Sequence, residues 1–269
     1  MCGIAGFWNG KPNQIPQALN QVAEGMADTL AHRGPDGSGT WSNPDAGVAL
    51  AHRRLSIIDL GPAGAQPMVS ASGRFVITYN GEIYNHYHLR KRLDNMREAP
   101  EWRGHSDTEV LLAGIETWGL QETLQKARGM FAFALWDRQQ RTLSLARDRL
   151  GEKPLYYGWQ DGDFMFGSEL RALRQHPSWQ GNVSRNALRQ LLRHNYIPEP
   201  LSIYEGIRKL RPGCWIRLKA GIRQAQEVVY WSADNLAEEE SGEDLESVLL
   251  DAVKSQMVAD VPLGAFLSG

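Results

Sequence analysis

The sequence predicts an α+β fold in which sheets pack against helices, and three observations carry that expectation. Between Met130 and Gly167, four short apolar runs, MFAFALWD, TLSLARD, LYYGW and DFMFG, are separated by turn residues, as in consecutive antiparallel strands. Two stretches, Ile15 to Leu30 and Ser106 to Trp118, repeat apolar residues at helical spacing. The first eight residues, MCGIAGFW, contain a small apolar run that reads as a buried strand fixing the chain end in place.

Composition narrows the function classes. A chain of 269 residues that is 42% hydrophobic and 22% charged can bury a full core, enough for one large or two ordinary domains. A formal net charge of -2 leaves no basic excess to draw nucleic acid or an anionic membrane, and neither is expected as a partner. Two cysteines, Cys2 and Cys214, are too few for a disulfide framework and fit a reducing cytoplasm. No signal-like opening or apolar run of about 18 residues is seen. The seven histidines lack the spacing of a metal site, so no metal is expected.

Taken in order, the first strand leads to the Ile15–Leu30 helix and then to a turn-rich break, His32-Arg33-Gly34-Pro35-Asp36-Gly37. Gly47 to His52 and Leu55 to Asp59 read as short strands interrupted by Arg53-Arg54. An arginine there is costly unless its guanidinium meets an anion, which makes Arg54 a candidate for gripping a carboxylate; a surface ion pair is the plainer alternative. The strand Phe75 to Tyr79 runs into Asn80-Gly81-Glu82-Ile83-Tyr84-Asn85. An Asn-Gly pair usually marks a hairpin turn. Alternatively, the Asn80 amide and the Gly81 N–H point together at a developing oxyanion.

A short helix is predicted from Tyr87 to Met96. Ser106 with Glu109 three residues on forms a capping box at the next helix, leaving Asp107 either to favour the helix dipole or to receive an ammonium group. The turn Arg147 to Pro154 is dense in charge and without an assigned role. Further helices are predicted at Ser168–Gln175 and Ser184–Asn195, and strands at Cys214–Lys219 and Gln226–Trp231, with Cys214 a packed strand residue. Ala233 to Glu246 is acidic and polar, as a linker would be. A helix from Leu245 to Met257 and an apolar strand from Val261 to Leu267 complete the chain, the latter aimed at Ser268-Gly269 like the entry to a phosphate-binding turn.

Cys2 carries the sharpest chemistry. Alone, a cysteine near a terminus is most simply a small packed hydrophobe. Once Met1 is removed, however, its thiol and a free α-amine share one residue, and an α-amine titrating at about 7.7–8.0 can take the thiol proton.

MCGIAGFW, HRGPDG, RLSIID, NGEIYN and SDTEV, in that order, resemble the N-terminal glutaminase domain of the glutamine-hydrolysing asparagine synthetase family. RDRLGEKPLYYG, YIPEPLSIYEGIRKLRPG and VADVPLGAFLSG extend the likeness over essentially the whole chain. The resemblance implies a class II, N-terminal-nucleophile amidotransferase with a four-layer αββα sandwich, two antiparallel sheets between helices. It implies that Cys2 attacks the side-chain amide of L-glutamine, releasing ammonia and leaving a thioester that water hydrolyses. Arg54 would hold the α-carboxylate, with Leu55, Ser56, Ile57 and Ile58 lining the pocket. Asn80 and Gly81 would form the oxyanion hole, and Glu82 and Asp107 would hold the amino end.

By the same resemblance residues 1–232 form the glutaminase domain. Residues 233–269 form a linker and the truncated beginning of an ATP-pyrophosphatase synthetase domain, with Leu267, Ser268 and Gly269 an incomplete ATP-binding site. Glutaminase activity would need no cofactor, whereas the longer synthetase would use ATP, Mg and aspartate; the chain is expected to be a fragment of that longer protein. The reading allows for a homodimer. Amidation of another carboxylate, such as a sugar uronic acid in surface-polysaccharide synthesis, and a glutamine-binding module without turnover are the alternatives. Phosphoribosyl and fructose-phosphate amidotransferases also begin with a catalytic Cys, but the ADVPLGAFLSG ending argues against them.

Overall fold

In the computed structural model, which describes residues 1–97, 99–222, 225–235 and 244–265, the chain opens with strand β1 (Gly3–Trp8) and helix α1 (Pro16–Asp28). There follow β2 (Gly37–Asn43), β3 (Val48–Arg54), the two-residue β4 (Met68–Val69) and the long β5 (Phe75–Ile83). Helices α2 (His86–Met96), α3 (Asp107–Trp118) and α4 (Leu120–Lys126) come next. The meander is β6 (Gly129–Asp137), β7 (Thr142–Arg147), β8 (Tyr156–Gln160) and β9 (Asp163–Gly167). Helices α5 (Leu170–Leu173) and α6 (Arg185–His194), strands β10 (Ile207–Lys209), β11 (Cys214–Lys219) and β12 (Gln226–Val229), and helix α7 (Leu245–Ser255) follow.

Two antiparallel sheets result, one ordered β10-β8-β9-β1-β3-β2 and the other β12-β11-β7-β6-β5-β4. Their central strands are apolar on both faces because both faces are covered, and period-two alternation divides the side chains between two layers. In β6, Ala132, Ala134 and Trp136 meet Ile4, Trp8, Leu50 and Phe166 of the facing sheet. Phe131, Phe133 and Leu135 point the other way, onto Leu89, Val110, Leu111 and Leu124 of α2 to α4. In β1, Ala5 and Phe7 pack outward on Leu19, Ala23 and Met26 of α1 and Leu173 of α5. Three apolar layers between helix, sheet, sheet and helix make the four-layer αββα sandwich.

Several local expectations are corrected. Asn80-Gly81 is not a hairpin: β5 runs through both residues to Ile83, paired residue for residue with β6. Leu55–Asp59 is not a strand; β3 ends at Arg54, after which the Ser56 N–H turns to the Asp36 carboxylate at 2.8 Å. Ser106 does cap α3, but Glu109 reaches past it to accept from the Arg103 and Gly104 N–H groups at 2.9 and 3.1 Å. The meander divides between sheets, β6 and β7 in one and β8 and β9 in the other. Residues 261–265 are not a strand, and the rest of that expected strand and most of the acidic linker lie outside the described residues.

The sheets are stitched at one end. His52 Nε2 donates to the Tyr79 carbonyl at 3.0 Å, and the Thr78 hydroxyl to the Ala51 carbonyl at 3.0 Å, tying β3 to β5 across the interface. That end holds the start of β1, the end of β3, the end of β5 and the start of α3.

Candidate functional site

A cavity of about 600 Å³, counted with its open mouth, lies at this stitched end. Cys2 reaches it from the residue before β1, where the chain is fixed on both sides. The Ile4 N–H donates to Ser168 Oγ at 3.1 Å, and Arg33 Nε donates to the Cys2 carbonyl at 3.0 Å while its Nη1 meets Glu169 at 2.9 Å. The Cys2 sulfur accepts from the Leu55 N–H at 3.3 Å. Gly34, in the turn-rich break, allows this approach: a Cβ there would lie 2.4 Å from the Arg53 carbonyl oxygen.

Arg54, Leu55, Ile57 and Ile58 supply one wall, and Asn80, Gly81 and Glu82 the facing one. The Arg54 guanidinium is oriented by the carbonyls of Gly61, at 3.1 Å, and Asp59. Gly64 packs so closely that a Cβ would sit 2.2 Å from Arg54 Nη2. Asn80 is 1% exposed, and its Nδ2 has no hydrogen-bond partner among the described residues, an uncommon state for a buried amide. Gly81 is dictated by packing, since a Cβ would lie 2.3 Å from the Met130 carbonyl oxygen. Asp107, the first residue of α3, accepts on Oδ2 from the Tyr79 hydroxyl at 2.7 Å and the Ile83 N–H at 2.8 Å.

Electrostatics follow from burial. Desolvation pushes the Cys2 thiol above its ordinary value, with the Leu55 N–H pulling it part of the way back. The terminal amine, here on Met1 at the cavity wall, is lowered, chiefly by burial. Burial also raises Glu82, with the charge of Asp107 adding to it. Asp107 is raised by burial against the bonds from Ile83 and Tyr79. Both shifts belong to the chain with Met1 in place, and each makes transfer of the thiol proton to that amine less favourable.

The cavity therefore brings together Cys2, Arg54, Leu55, Ile57, Ile58, Asn80, Gly81, Glu82 and Asp107. Ser56 is not among its lining residues; its N–H is turned to Asp36. Leu267, Ser268 and Gly269 lie outside the described residues. Lys153 and Gln66 also line the cavity and went unnoticed in the sequence. The Gln66 Oε1 accepts from the Tyr79 N–H at 2.7 Å, bridging a loop to β5. Lys153 is 5% exposed and lowered by burial, and the signal for it was a lysine inside the Arg147–Pro154 turn. No cluster of His, Cys, Asp and Glu able to hold a metal occurs among the described residues.

Residues 1–231 match the family model described as a glutamine amidotransferase domain, and residues 244–269 match that described as asparagine synthase. The chain is 36% identical over its whole length to asparagine synthetase [glutamine-hydrolyzing] 3 of Bacillus subtilis, covering 43% of that protein. It is 35% identical, again over its whole length, to a putative asparagine synthetase [glutamine-hydrolyzing] of Mycobacterium bovis, covering 44%. The chain thus spans less than half the length of these relatives. Among solved structures, glutamine phosphoribosylpyrophosphate amidotransferase from B. subtilis superposes with a TM-score of 0.62 at 17% identity, over 86% of this chain and 49% of that one. At that identity the likeness is one of fold.

Proposed function

The chain belongs to the glutamine amidotransferase domain family, and from that premise we propose that it hydrolyses L-glutamine to glutamate and ammonia through a thioester on Cys2. The observation that supports this most strongly is the buried Asn80 Nδ2, without a partner among the described residues, in the same cavity as Cys2. A donor left without a partner in a buried site is costly, and a developing oxyanion would satisfy it.

Removal of Met1 would place the free amine on Cys2. The amine takes the thiol proton, sulfur attacks the side-chain amide carbon, and the charge gathers on the amide oxygen facing Asn80 Nδ2 and the Gly81 N–H. Collapse breaks the C–N bond, with the amine returning its proton to the departing ammonia. Water then attacks the thioester, releasing glutamate and restoring the thiol. Arg54 would hold the α-carboxylate beside Leu55, Ile57 and Ile58, and Glu82 and Asp107 the α-ammonium.

Residues 1–232 are proposed as the glutaminase domain and 233–269 as a linker and the start of a synthetase domain. In a longer protein the ammonia would amidate aspartate, a proposal supported by the names of the relatives, and that step would draw on ATP and Mg. A cytoplasmic setting is proposed from the two free cysteines, and no described helix is long and apolar enough to cross a membrane. The test is ammonia release from glutamine by protein whose N-terminal sequencing begins at Cys2. The wild type is expected to turn over and Cys2→Ala to release none; equal release from the variant sinks the mechanism.

A further inference from the structure

The segment after α7 returns to the glutaminase cavity. The Asp260 N–H donates to the Ile57 carbonyl at 2.8 Å, and its Oδ2 accepts from the Asp59 N–H at 2.7 Å. The same oxygen meets His105 Nε2 at 2.7 Å, and the His105 N–H donates to Asp59 Oδ2 at 3.0 Å. Of the three residues that Asp260 joins, Ile57 lines the cavity and the other two stand next to it. Ile57 and Ile58 line it just before Asp59, and Ser106 and Asp107 line it just after His105. The Asp59 carbonyl in turn accepts from the Arg54 guanidinium, so one peptide residue separates Asp260 from the side chain proposed to hold the substrate carboxylate.

The clamp falls where the loop bends sharply. Asp59 has φ +53°, a left-handed conformation that aspartate tolerates better than most residues other than glycine. Gly104 permits the close approach, because a Cβ at that position would lie 2.1 Å from Asp59 Oδ2. Asp260 lies in residues 244–269, matched by the second family model, whereas the loop it clamps lies in residues 1–231, matched by the first. The His105 hydrogen bond, and then the Asp59 N–H, hold the Asp260 carboxyl below its ordinary range, so it stays an acceptor near neutral pH.

We propose that Asp260 is a positioning residue through which the synthetase-family segment sets the orientation of Arg54, and so the affinity of the cavity for the glutamine carboxylate. This rests on the glutaminase reading above. Initial rates of ammonia release by the 269-residue chain, with thermal unfolding of each variant, test it. Asp260→Ala is expected to raise the glutamine KM about five- to tenfold, the effect of losing charge-assisted hydrogen bonds at a partly exposed site, with kcat and the unfolding midpoint little changed. Asp260→Asn keeps an oxygen for the Asp59 N–H and is expected to recover most of that affinity. An unchanged KM in Asp260→Ala overturns the proposal, as does a rise in KM that tracks a lowered midpoint and is not rescued by Asp260→Asn. A wild type that releases no ammonia removes the glutaminase reading itself, and this proposal with it.

Discussion

Asn80 shows how little side chain a proposed reaction centre needs when the backbone is already in place. Its position is set by continuous pairing of β5 with β6, where it stands opposite Ala132, and its Nδ2 finds no partner among the described residues. Asn80→Ala is expected to lower kcat for ammonia release about 100- to 1,000-fold, the usual loss for one oxyanion donor, with a much smaller change in KM. A matching loss in KM with kcat intact would instead make Asn80 a ground-state binding residue. At this scale residue type and neighbours left Asn80, Gly81, Asp107 and Cys2 with blander readings beside the functional ones, and it was the ordered set of motifs that joined them; the structure lines one cavity with all four. Lys153 was not readable, because a lysine in a charged turn carries the same local signal whether it faces solvent or a cavity.

The turn between β7 and β8 carries the chain from one sheet to the other, and a single carboxylate organises it. Asp148 is fully buried, accepting on Oδ1 from the Leu150 and Glu152 N–H groups and on Oδ2 from those of Phe131 and Lys153, all within 2.9–3.1 Å. Asp148→Ala leaves four donors to find new partners and is expected to cost about 3 kcal/mol or more, seen as a lower urea midpoint. Asp148→Asn should rescue poorly, since its Nδ2 would face N–H groups. The strands flanking this turn were legible because long apolar runs between turn residues have few other readings. Their division between two sheets was not, because a continuous apolar run specifies that a strand is covered on both faces without naming the partner. Strands β4 and β10, of two and three residues, and the polar β2 (GSGTWSN) carry too little pattern to be read locally. Leu55–Asp59 carried the reverse fault: its apolar side chains face a ligand-sized cavity instead of a sheet.

Across the whole molecule, acid should act first where the sheets are stitched. His52 is buried, and desolvation brings it from an ordinary 6.5 to about 4 despite its bond to the Tyr79 carbonyl. Above pH 6.5 the histidine is neutral in both folded and unfolded chains, and its full contribution is present. Between 6.5 and about 4 the unfolded chain binds a proton that the native one refuses, so stability falls as pH falls, by on the order of 3 kcal/mol from this group. Urea unfolding at pH 7 and pH 4.5 should show that decline in the wild type and a shallower one in His52→Gln, which keeps a donor for Tyr79. Equal slopes would exclude His52 as the acid-sensitive group.

Strand β1 is interior to its sheet, hydrogen-bonded to β3 on one edge and to β9 on the other, and the Ile4 N–H partner, Ser168, lies 164 residues downstream. A ribosome must therefore deliver the chain as far as Gly167 before its opening residues acquire their second neighbour. Until that pairing forms, the residues around Met1 and Cys2 lack the neighbours that fix them in the folded chain. On the proposed mechanism, strand topology would then put trimming early and competence late.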